Sequence, residues 1–291
     1  MVVEDVFDVV AETAPDVRAA LPGRRVESDV ENPSGETVMA ADAYADDLLR
    51  ERLGAVDGVA TYASEEAAEP ESVGDATASD AVHVAVDPLD GSSNLQSNNA
   101  MGTIVGVYDA PLPASGRDLV AAGYVLYGPI TTMVVADGDG IREEVVERAG
   151  KTPDTGVQRT VVEEDLRLPA DPTVYGFGGR VPDWPDDFAM YAREVESELK
   201  LRYGGAMVGD VNQVLTYGGI FAYPALESAT SGKLRLQFEG NPMAFVVERA
   251  GGASSTGEGS ILDADPESLH QRVPVHVGNE ALIERLEAAL D

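Results

Sequence analysis

The sequence predicts an α/β protein, because helix-like and strand-like segments are intermixed along the whole chain. The helix-like segments space apolar residues three or four apart, and they occupy 36–53, 186–200, 241–250 and 281–290. The strand-like segments are short and apolar, and they occupy 81–86, 103–108, 120–127, 131–136, 219–223 and 233–238. The polar segment 148–172 contains three prolines and indicates a junction. We therefore predict two lobes, residues 1–170 and residues 171–291.

Turn and cap residues mark the ends of several of these segments. The Asp-Gly-Asp-Gly run at 137–140 follows a strand-like run and predicts a hairpin. Asn241 and Pro242 predict the N-cap and the first residue of a helix, and Gly251 predicts its end. Near the N-terminus, Pro15 predicts the end of a short acidic helix, because proline disrupts a helix interior.

Composition narrows the classes of protein to which the chain can belong. Its 291 residues, 44% of them apolar, are enough for a sizeable core and too apolar for a disordered chain. No apolar run approaches the roughly 20 residues of a membrane span. The acidic N-terminus lacks the basic region of a secretory signal, and no cysteine is present for disulfides or thiolate metal sites. We expect a soluble cytoplasmic protein without a membrane partner.

The charge balance is strongly acidic. Asp and Glu total 52 against 20 Lys and Arg, which gives a formal net charge of -32 spread over the whole chain. Such a surface repels nucleic acid, since no excess of cations neutralises phosphates. It also destabilises the compact state unless salt screens it, and the Debye length is only about 3 Å at 1 M salt. We favour the interpretation that the protein is adapted to a salt-rich cytoplasm. The alternative is that the acidic surface serves only to keep the protein soluble.

The stretch AVDPLDGSSNL combines two carboxylates with small polar residues at a strand end. Pro88 cannot donate to a sheet ladder and predicts the end of the strand, which leaves Asp87 and Asp90 at its edge. Gly91 permits close approach of the backbone, and the following Ser-Ser-Asn can begin a helix whose free N–H groups face an anion. Carboxylates beside an anion site require a cation between them, so we predict a Mg²⁺ and phosphate site. A turn with a side-chain cap is the alternative.

Further acids lie at comparable positions. Glu65 and Glu66 follow an apolar strand-like stretch, so they also lie at a predicted strand end. Glu239 ends the strand-like 233–238 run at a second junction between a strand and a helix. Asp42 lies inside a predicted helix, where an acid is usually a solvated surface residue.

Five segments together resemble a known family. DPLDGSSN, VAAGYVLYG, LTYGGIFAYPA, GKLRLQFEGNPMAFVVERAGG and LHQRVPVHVG look like class I fructose-1,6-bisphosphatase, in order from Asn32 to Gly278. This family belongs to the Mg²⁺-dependent, lithium-sensitive phosphatases, and the resemblance implies a layered α/β/α/β/α sandwich. It also implies hydrolysis of the 1-phosphate of fructose 1,6-bisphosphate. A sedoheptulose-1,7-bisphosphatase or a broader inositol-monophosphatase-like enzyme is the alternative, and a non-catalytic metal-binding scaffold is a third.

The resemblance also implies roles for individual residues. The implied ligands of two or more Mg²⁺ ions, or of Mn²⁺ in their place, are Glu65, Asp87, the Leu89 carbonyl, Asp90 and Glu239. Asp42 and Glu66 would orient or deprotonate the attacking water, and Glu36 would be an additional ligand. The residues implied to contact the 1-phosphate are Asp90, Gly91, Ser92, Ser93 and the nearby Arg235. Those implied to contact the sugar are Tyr203, Met207, Tyr223 and Lys233. Arg202 would reach the 6-phosphate of a neighbouring subunit in a homo-dimer or homo-tetramer.

Two positions depart from the family pattern. Gly178 stands where the family has a phosphate-binding asparagine, so we expect a different 6-phosphate pocket. Val82 stands where a tyrosine of the family's AMP site is expected, and a valine offers the purine ring no stacking partner. The resemblance therefore supports the activity more directly than the regulation by AMP.

Overall fold

The computed structural model describes residues 2–33, 35, 37–78, 80–150 and 155–290, so the predicted ligand Glu36 lies outside the described residues. The helices are α1 Val2–Ala20, α2 Ala40–Leu53, α3 Asn94–Ser97, α4 Asp186–Glu198, α5 Met207–Tyr217, α6 Asn241–Arg249 and α7 Glu280–Leu290. The strands of the first half are β1 Glu27–Glu31, β2 Thr37–Met39, β3 Val59–Ser64, β4 Glu71–Ser72, β5 Val82–Asp90, β6 Met101–Tyr108, β7 Leu119–Tyr127, β8 Thr131–Ala136, β9 Ile141–Arg148 and β10 Val157–Glu163. The strands of the second half are β11 Val174–Phe177, β12 Lys200–Leu201, β13 Gly219–Tyr223, β14 Leu234–Arg235, β15 Ala253–Ser255, β16 Arg272–Val273 and β17 Val275–Gly278.

Two large sheets and three helical layers form the architecture. The eight-stranded sheet has the order β10-β9-β8-β7-β6-β5-β3-β4, and the five-stranded sheet has the order β12-β11-β13-β17-β15. Helices α1 and α2 pack on the outer face of the first sheet. Helices α5 and α6 fill the space between the sheets, and α4 and α7 cover the outer face of the second sheet. The predicted α/β/α/β/α sandwich is therefore confirmed.

The predicted lobe boundary near residue 170 falls between β10 and β11. The central hydrophobic cluster joins both sides of this boundary, since it contains Ile104 and Tyr124 as well as Phe221 and Val277. The division into residues 1–170 and 171–291 stays a prediction. Among the described residues, no helix is both long enough and apolar enough to cross a membrane.

The prediction that the first helix ends at Pro15 is wrong. Helix α1 continues through this proline to Ala20, although Pro15 has no N–H for the carbonyl of Ala11. Val10 and Val17, on either side of the proline, are both buried against the sheet. Burial of this apolar face offsets the cost of an interior proline, which is about 3 kcal/mol.

The prediction of a strand over 233–238 is also wrong beyond Arg235. After the short β14, the residues Leu236–Gly240 form one π-helical turn that continues directly into α6. Asn241 is therefore the first residue of α6 and not its N-cap. The Ala114 amide donates to the Oε1 atom of Gln237 at 2.8 Å, and the Nε2 atom of Gln237 donates to the Ala114 carbonyl at 2.7 Å. These two bonds hold the π-helical turn in a segment where a strand was predicted.

Candidate metal and phosphate site

The predicted site residues surround one cavity of about 320 Å³. It lies where β3 and β5 end, beside the first turn of α2 and the π-helical turn. The lining residues are Asp42, Glu65, Glu66, Asp87, Leu89, Asp90, Gly91, Ser92, Ser93, Lys233, Leu234, Arg235 and Glu239. The fold thus brings together every described residue that was predicted to bind metal or to activate water.

Three buried carboxylates form the centre of this site. One oxygen from each of Asp87, Asp90 and Glu239 lies within 4.8 Å of the others. The prediction that β5 ends at Pro88 is wrong, because the strand continues to Asp90 with a shift of register opposite β6. Thr103 donates its hydroxyl to the carbonyl of Pro88 at 2.9 Å, within this irregular part of the ladder. The irregularity lets Asp87 and Asp90, three residues apart, contribute to the same cluster.

A main-chain N–H orients each of these three carboxylates. Leu89 donates to Asp87 at 3.0 Å, and Arg235 donates to Glu239 at 2.6 Å through its main-chain N–H. Asp90 accepts a bond of 2.7 Å from the amide of Val208, near the start of α5. Each carboxylate keeps further lone pairs free of these bonds, and those oxygens are available to a cation.

The turn after β3 brings two more acids to the cavity. The Glu65 amide continues the pairing with β5 by donating to the Val86 carbonyl at 3.0 Å. Its carboxylate lies 2.8 Å from the Arg235 guanidinium, which also lies 3.8 Å from Glu239. The Oε2 atom of Glu66 is buried and has no hydrogen-bond partner among the described residues. An unpartnered carboxylate oxygen in a polar cavity can accept a proton from a bound molecule.

Asp42 reaches the cavity from the first turn of α2. Its carboxylate accepts the main-chain N–H of Met39 at 2.7 Å and so caps the helix from inside its first turn. Burial, followed by repulsion from Glu65, raises the pKa of Asp42 to about 7. Hydrogen bonds from Met39 and Ser92 lower this pKa but do not offset the increase. This residue is thus a buried site acid and not the solvated surface acid that its helical position predicted.

Burial also raises the pKa of Glu66 and of the three carboxyl groups at the centre of the site. It raises the pKa of Asp90 to about 7 and that of Glu66 to about 8, with Glu65 adding repulsion in both cases. For Asp87 and Glu239 burial and the neighbouring acids raise the pKa well above its ordinary range. Among the described residues that line the cavity, six carboxyl groups face two cations, Lys233 and Arg235. A site with this excess of oxygen ligands fits hard divalent cations such as Mg²⁺.

The predicted phosphate-binding residues lie on the same cavity. Gly91 has a φ of +74°, and a Cβ there would lie 2.2 Å from the Cβ of Ala206, so only glycine fits this contact. This close approach places Ser92 and Ser93 beside the carboxylates. The helix that follows, α3, has only four residues, so the predicted helix start is one short turn.

The predicted sugar-binding residues differ in their placement. Lys233 lines the carboxylate cavity, whereas Arg202, Tyr203, Met207 and Tyr223 lie outside its lining in the described structure. Tyr203 is exposed, and Tyr223 is half-buried. Met207 is buried in the central core, while Arg202 is exposed.

The sequence patterns missed Asp210, in α5. Its two carboxylate oxygens accept the main-chain N–H groups of Gly204 and Gly205, at 2.6 and 3.2 Å. These bonds hold the glycine-rich loop that follows Tyr203. An acid in the first turn of a helix, preceded by a pair of glycines, is the signal that points to such a loop anchor.

Comparison with known proteins supports the family resemblance that the sequence motifs indicated. Residues 15–151 match the family model for the N-terminal domain of fructose-1-6-bisphosphatase, and residues 168–291 match that for its C-terminal domain. The fructose-1,6-bisphosphatase class 1 of Natronomonas pharaonis is 61% identical over 288 residues, which cover 99% of this chain and 98% of that protein. The corresponding protein of Halobacterium salinarum is 57% identical over 289 residues, covering 99% and 97%.

A solved structure has the same fold. The crystal structure of Leishmania major fructose-1,6-bisphosphatase in holo form superposes with a TM-score of 0.87 at 27% identity, covering 98% of this chain and 93% of that one. The acid cluster and the close packing of Gly91 against Ala206 are consistent with these similarities. The chain therefore belongs to the class 1 fructose-1,6-bisphosphatase family.

Proposed function

We propose that this protein hydrolyses the 1-phosphate of D-fructose 1,6-bisphosphate to fructose 6-phosphate and inorganic phosphate, as a cytoplasmic enzyme of gluconeogenesis. The observation that carries the proposal is the buried cluster of Asp87, Asp90 and Glu239 beside the Gly91 turn, in a chain of this family. Phosphoryl transfer depends on positioning and charge neutralisation more than on covalent help. A cavity of acids with a few cations on one side provides both.

The residues that would hold Mg²⁺, or Mn²⁺ in its place, are Glu65, Asp87, the Leu89 carbonyl, Asp90 and Glu239. With all six carboxyl groups ionised, as ligands to cations would be, the charges of Lys233 and Arg235 would leave four negative units, which two divalent cations would balance. When bound, such ions stabilise the charge that develops on the phosphoryl oxygens. The charge balance of the cavity thus supports two ions for each site.

Glu66 and Asp42 are the residues that we assign to the attacking water. The free Oε2 of Glu66 can accept the proton of a water molecule in the cavity. Asp42 approaches from α2 on the same cavity and can orient that water by accepting its second hydrogen. Neither residue belongs to the three-carboxylate centre, so both remain available for proton transfer.

The phosphate to be cleaved would lie against the Gly91 turn. The Ser92 and Ser93 hydroxyl groups and the Gly91 main chain can donate to its oxygens, and Arg235 and Lys233 supply positive charge. Tyr203 and Tyr223 would border the sugar, together with the main chain of Met207, whose side chain is buried in the core. The exposed Arg202 would reach the 6-phosphate bound to a neighbouring subunit of a homo-oligomer.

A phosphate-release assay with three substrates tests this proposal. Purified protein with Mg²⁺ should release phosphate from fructose 1,6-bisphosphate with a higher kcat/KM than from sedoheptulose 1,7-bisphosphate or inositol 1-phosphate. A higher kcat/KM for either of the other two substrates would assign the protein to the alternative class. Absence of turnover on all three at saturating Mg²⁺ would support the non-catalytic scaffold.

A further inference from the structure

His270 lies outside the carboxylate cavity but contacts two of the four segments that carry its acids, the turn after β3 and the π-helical turn. Its Nε2 atom is 2.8 Å from the main-chain carbonyl oxygen of Ala67, which is 203 residues away in sequence. Its ring also packs on Phe238, with ring centroids 5.3 Å apart and planes at 43°. Neither contact belongs to the proposed chemistry, so the residue needs an explanation of its own.

The Ala67 contact holds the turn that presents Glu65 and Glu66. This turn closes with a bond of 3.2 Å from the Ala67 amide to the Ser64 carbonyl, and the Glu66 amide bonds to the Ser64 hydroxyl at 3.1 Å. The carbonyl oxygen of Ala67 is held by His270. Movement of this carbonyl would therefore shift both glutamates with respect to the rest of the site.

The Phe238 contact holds the segment that presents Glu239. Phe238 is fully buried in the π-helical turn, directly before this acid. The backbone beside His270 is also attached to the same segment, because the Leu236 amide donates to the Gln271 carbonyl at 2.8 Å. β14 and β16 pair immediately next to this bond. His270 is thus fixed to the Glu239 segment and reaches from it to the Glu65 turn.

The chemistry of the contact defines the proton position on His270. A carbonyl oxygen only accepts, so the Nε2 atom must donate its proton to Ala67. The Nδ1 atom is buried and has no partner among the described residues, which suits the unprotonated nitrogen of a neutral ring. Burial also lowers the pKa of His270. The bond therefore joins a neutral imidazole to a carbonyl oxygen and does not require a charged ring.

The second link between the same two segments is electrostatic. It is the ion pair between Arg235 and Glu65, whose atoms lie 2.8 Å apart inside the cavity. A cation that binds Glu65, or a phosphate that binds Arg235, competes with this pair. In the described structure neither His270 nor Ala67 lines the cavity, so a ligand in the cavity does not compete for their bond.

We propose that His270 is a positioning residue that holds the Glu65–Glu66 turn at the correct distance from Glu239 for binding of a divalent cation. The proposal rests on the proposed metal-dependent function. Outer partners of metal ligands typically change metal affinity or activity by about 10- to 100-fold when they are removed. The donor atom of His270, more than its ring, should carry this effect.

Three variants separate the donor from the ring. His270→Gln keeps a donor close to the Nε2 position and loses the ring, whereas His270→Phe keeps the ring and loses the donor. His270→Asn has the same amide one carbon shorter, so its nitrogen cannot reach Ala67. His83→Gln is the matched control, because His83 is a buried histidine bonded to Thr61 at the opposite end of β5.

Binding of Mn²⁺ to the substrate-free protein, measured by calorimetry, is the primary measurement. We expect the dissociation constant to rise about tenfold or more in the Phe and Asn variants and to stay within about threefold of wild type in His270→Gln and His83→Gln. The Mg²⁺ concentration for half-maximal turnover should change in the same order. The KM for fructose 1,6-bisphosphate at saturating Mg²⁺ should stay within about twofold, because neither His270 nor Ala67 is among the residues proposed to contact the substrate.

Several results would overturn the proposal. Wild-type Mn²⁺ affinity in both the Asn and Phe variants would show that the donor is unnecessary. Recovery by Phe but not by Gln would assign the effect to ring packing alone. If His270→Phe does not fold, the comparison of Gln with Asn still decides the question. Failure of the proposed function is distinguishable, because the wild-type protein itself would then release no phosphate.

Discussion

The Oδ2 atom of Asp90 accepts a hydrogen bond of 2.7 Å from the main-chain amide of Val208, which lies 118 residues later in the chain. This bond joins the end of β5 to the first turn of α5, so one site acid is oriented by a helix of the other half of the chain. An asparagine side chain can accept the same bond through its carbonyl oxygen. Substitution of Asp90 by Asn therefore removes charge without removing this contact.

Asp90→Asn should abolish turnover and leave the fold intact. We expect kcat to fall by at least ~100-fold, since loss of a ligand should cost no less than loss of an outer partner. The melting temperature without metal should not decrease, because the variant removes a carboxyl group that burial already penalises. Phosphate release and thermal melting check both points, with the exposed Asp57→Asn as control. Wild-type turnover at saturating Mg²⁺ would contradict the assignment.

Metal removal should make the protein less stable as the pH rises. The pKa values of Asp42 and Asp90 are raised to about 7 and that of Glu66 to about 8, above their values in an unfolded chain. The folded state then binds more protons than the unfolded state, so the free energy of unfolding falls as pH rises from about 4 to about 8.

Thermal melting in a metal chelator, between about pH 5 and pH 8, measures this effect. The melting temperature should fall across the range, and the increase on adding Mg²⁺ should be largest at the alkaline end. Glu66→Gln should show a shallower fall because it has one titrating group fewer. A chelated wild-type protein whose melting temperature is constant or rises with pH would argue against the raised pKa values.

Gly178→Ala should weaken sugar binding without slowing the chemical step. A Cβ at this position would lie 2.2 Å from the Cδ2 atom of Tyr223, so the tyrosine ring must move. Strain of about 1 kcal/mol at an overpacked contact corresponds to a rise in KM of about fivefold. Gly138→Ala is the matched control, since a Cβ there has no neighbour within 4 Å. An unchanged KM for Gly178→Ala would show that Tyr223 does not border the sugar.

Subunit mixing tests the assignment of Arg202 to a neighbouring active site. Arg202→Ala and Asp90→Asn proteins, each impaired alone, should regain part of the activity when their subunits exchange, because some sites then receive an intact residue from each chain. A guanidinium is the strongest phosphate clamp in a protein with so few cations. Sedimentation that shows only monomers, or mixing without any recovery, would exclude this arrangement.

Stability and activity should both increase with salt. With a net charge of -32, self-repulsion is strong at low ionic strength. Raising KCl from ~0.1 M to ~1 M shortens the Debye length from about 10 Å to about 3 Å and should raise the melting temperature. Surface ion pairs, such as those of Arg142 with Glu4 and Asp137, lose strength under the same conditions and oppose the increase. A constant melting temperature would contradict adaptation to a salt-rich cytoplasm.

Several features of the site could be predicted from short patterns. Asp87 and Asp90 at a strand end, with Gly91 and small polar residues after them, indicate a metal and phosphate site through local chemistry. Asp42 carried no such local signal, because an acid within a helix is usually exposed. Its placement in the cavity depends on the packing of α2 against β5, which brings together residues far apart in the chain.

The sequence by itself determined the α/β class, the positions of several central strands, the acidic character, and the acids that follow β3 and lie at the end of β5, because periodicity and local chemistry act within a few residues. Only the tertiary structure decided that α1 passes through Pro15 and that Leu236–Gly240 forms a π-helical turn. It also decided that His270 reaches Ala67. These features depend on burial and on hydrogen bonds between distant segments, and such contacts override the local preferences on which sequence patterns depend.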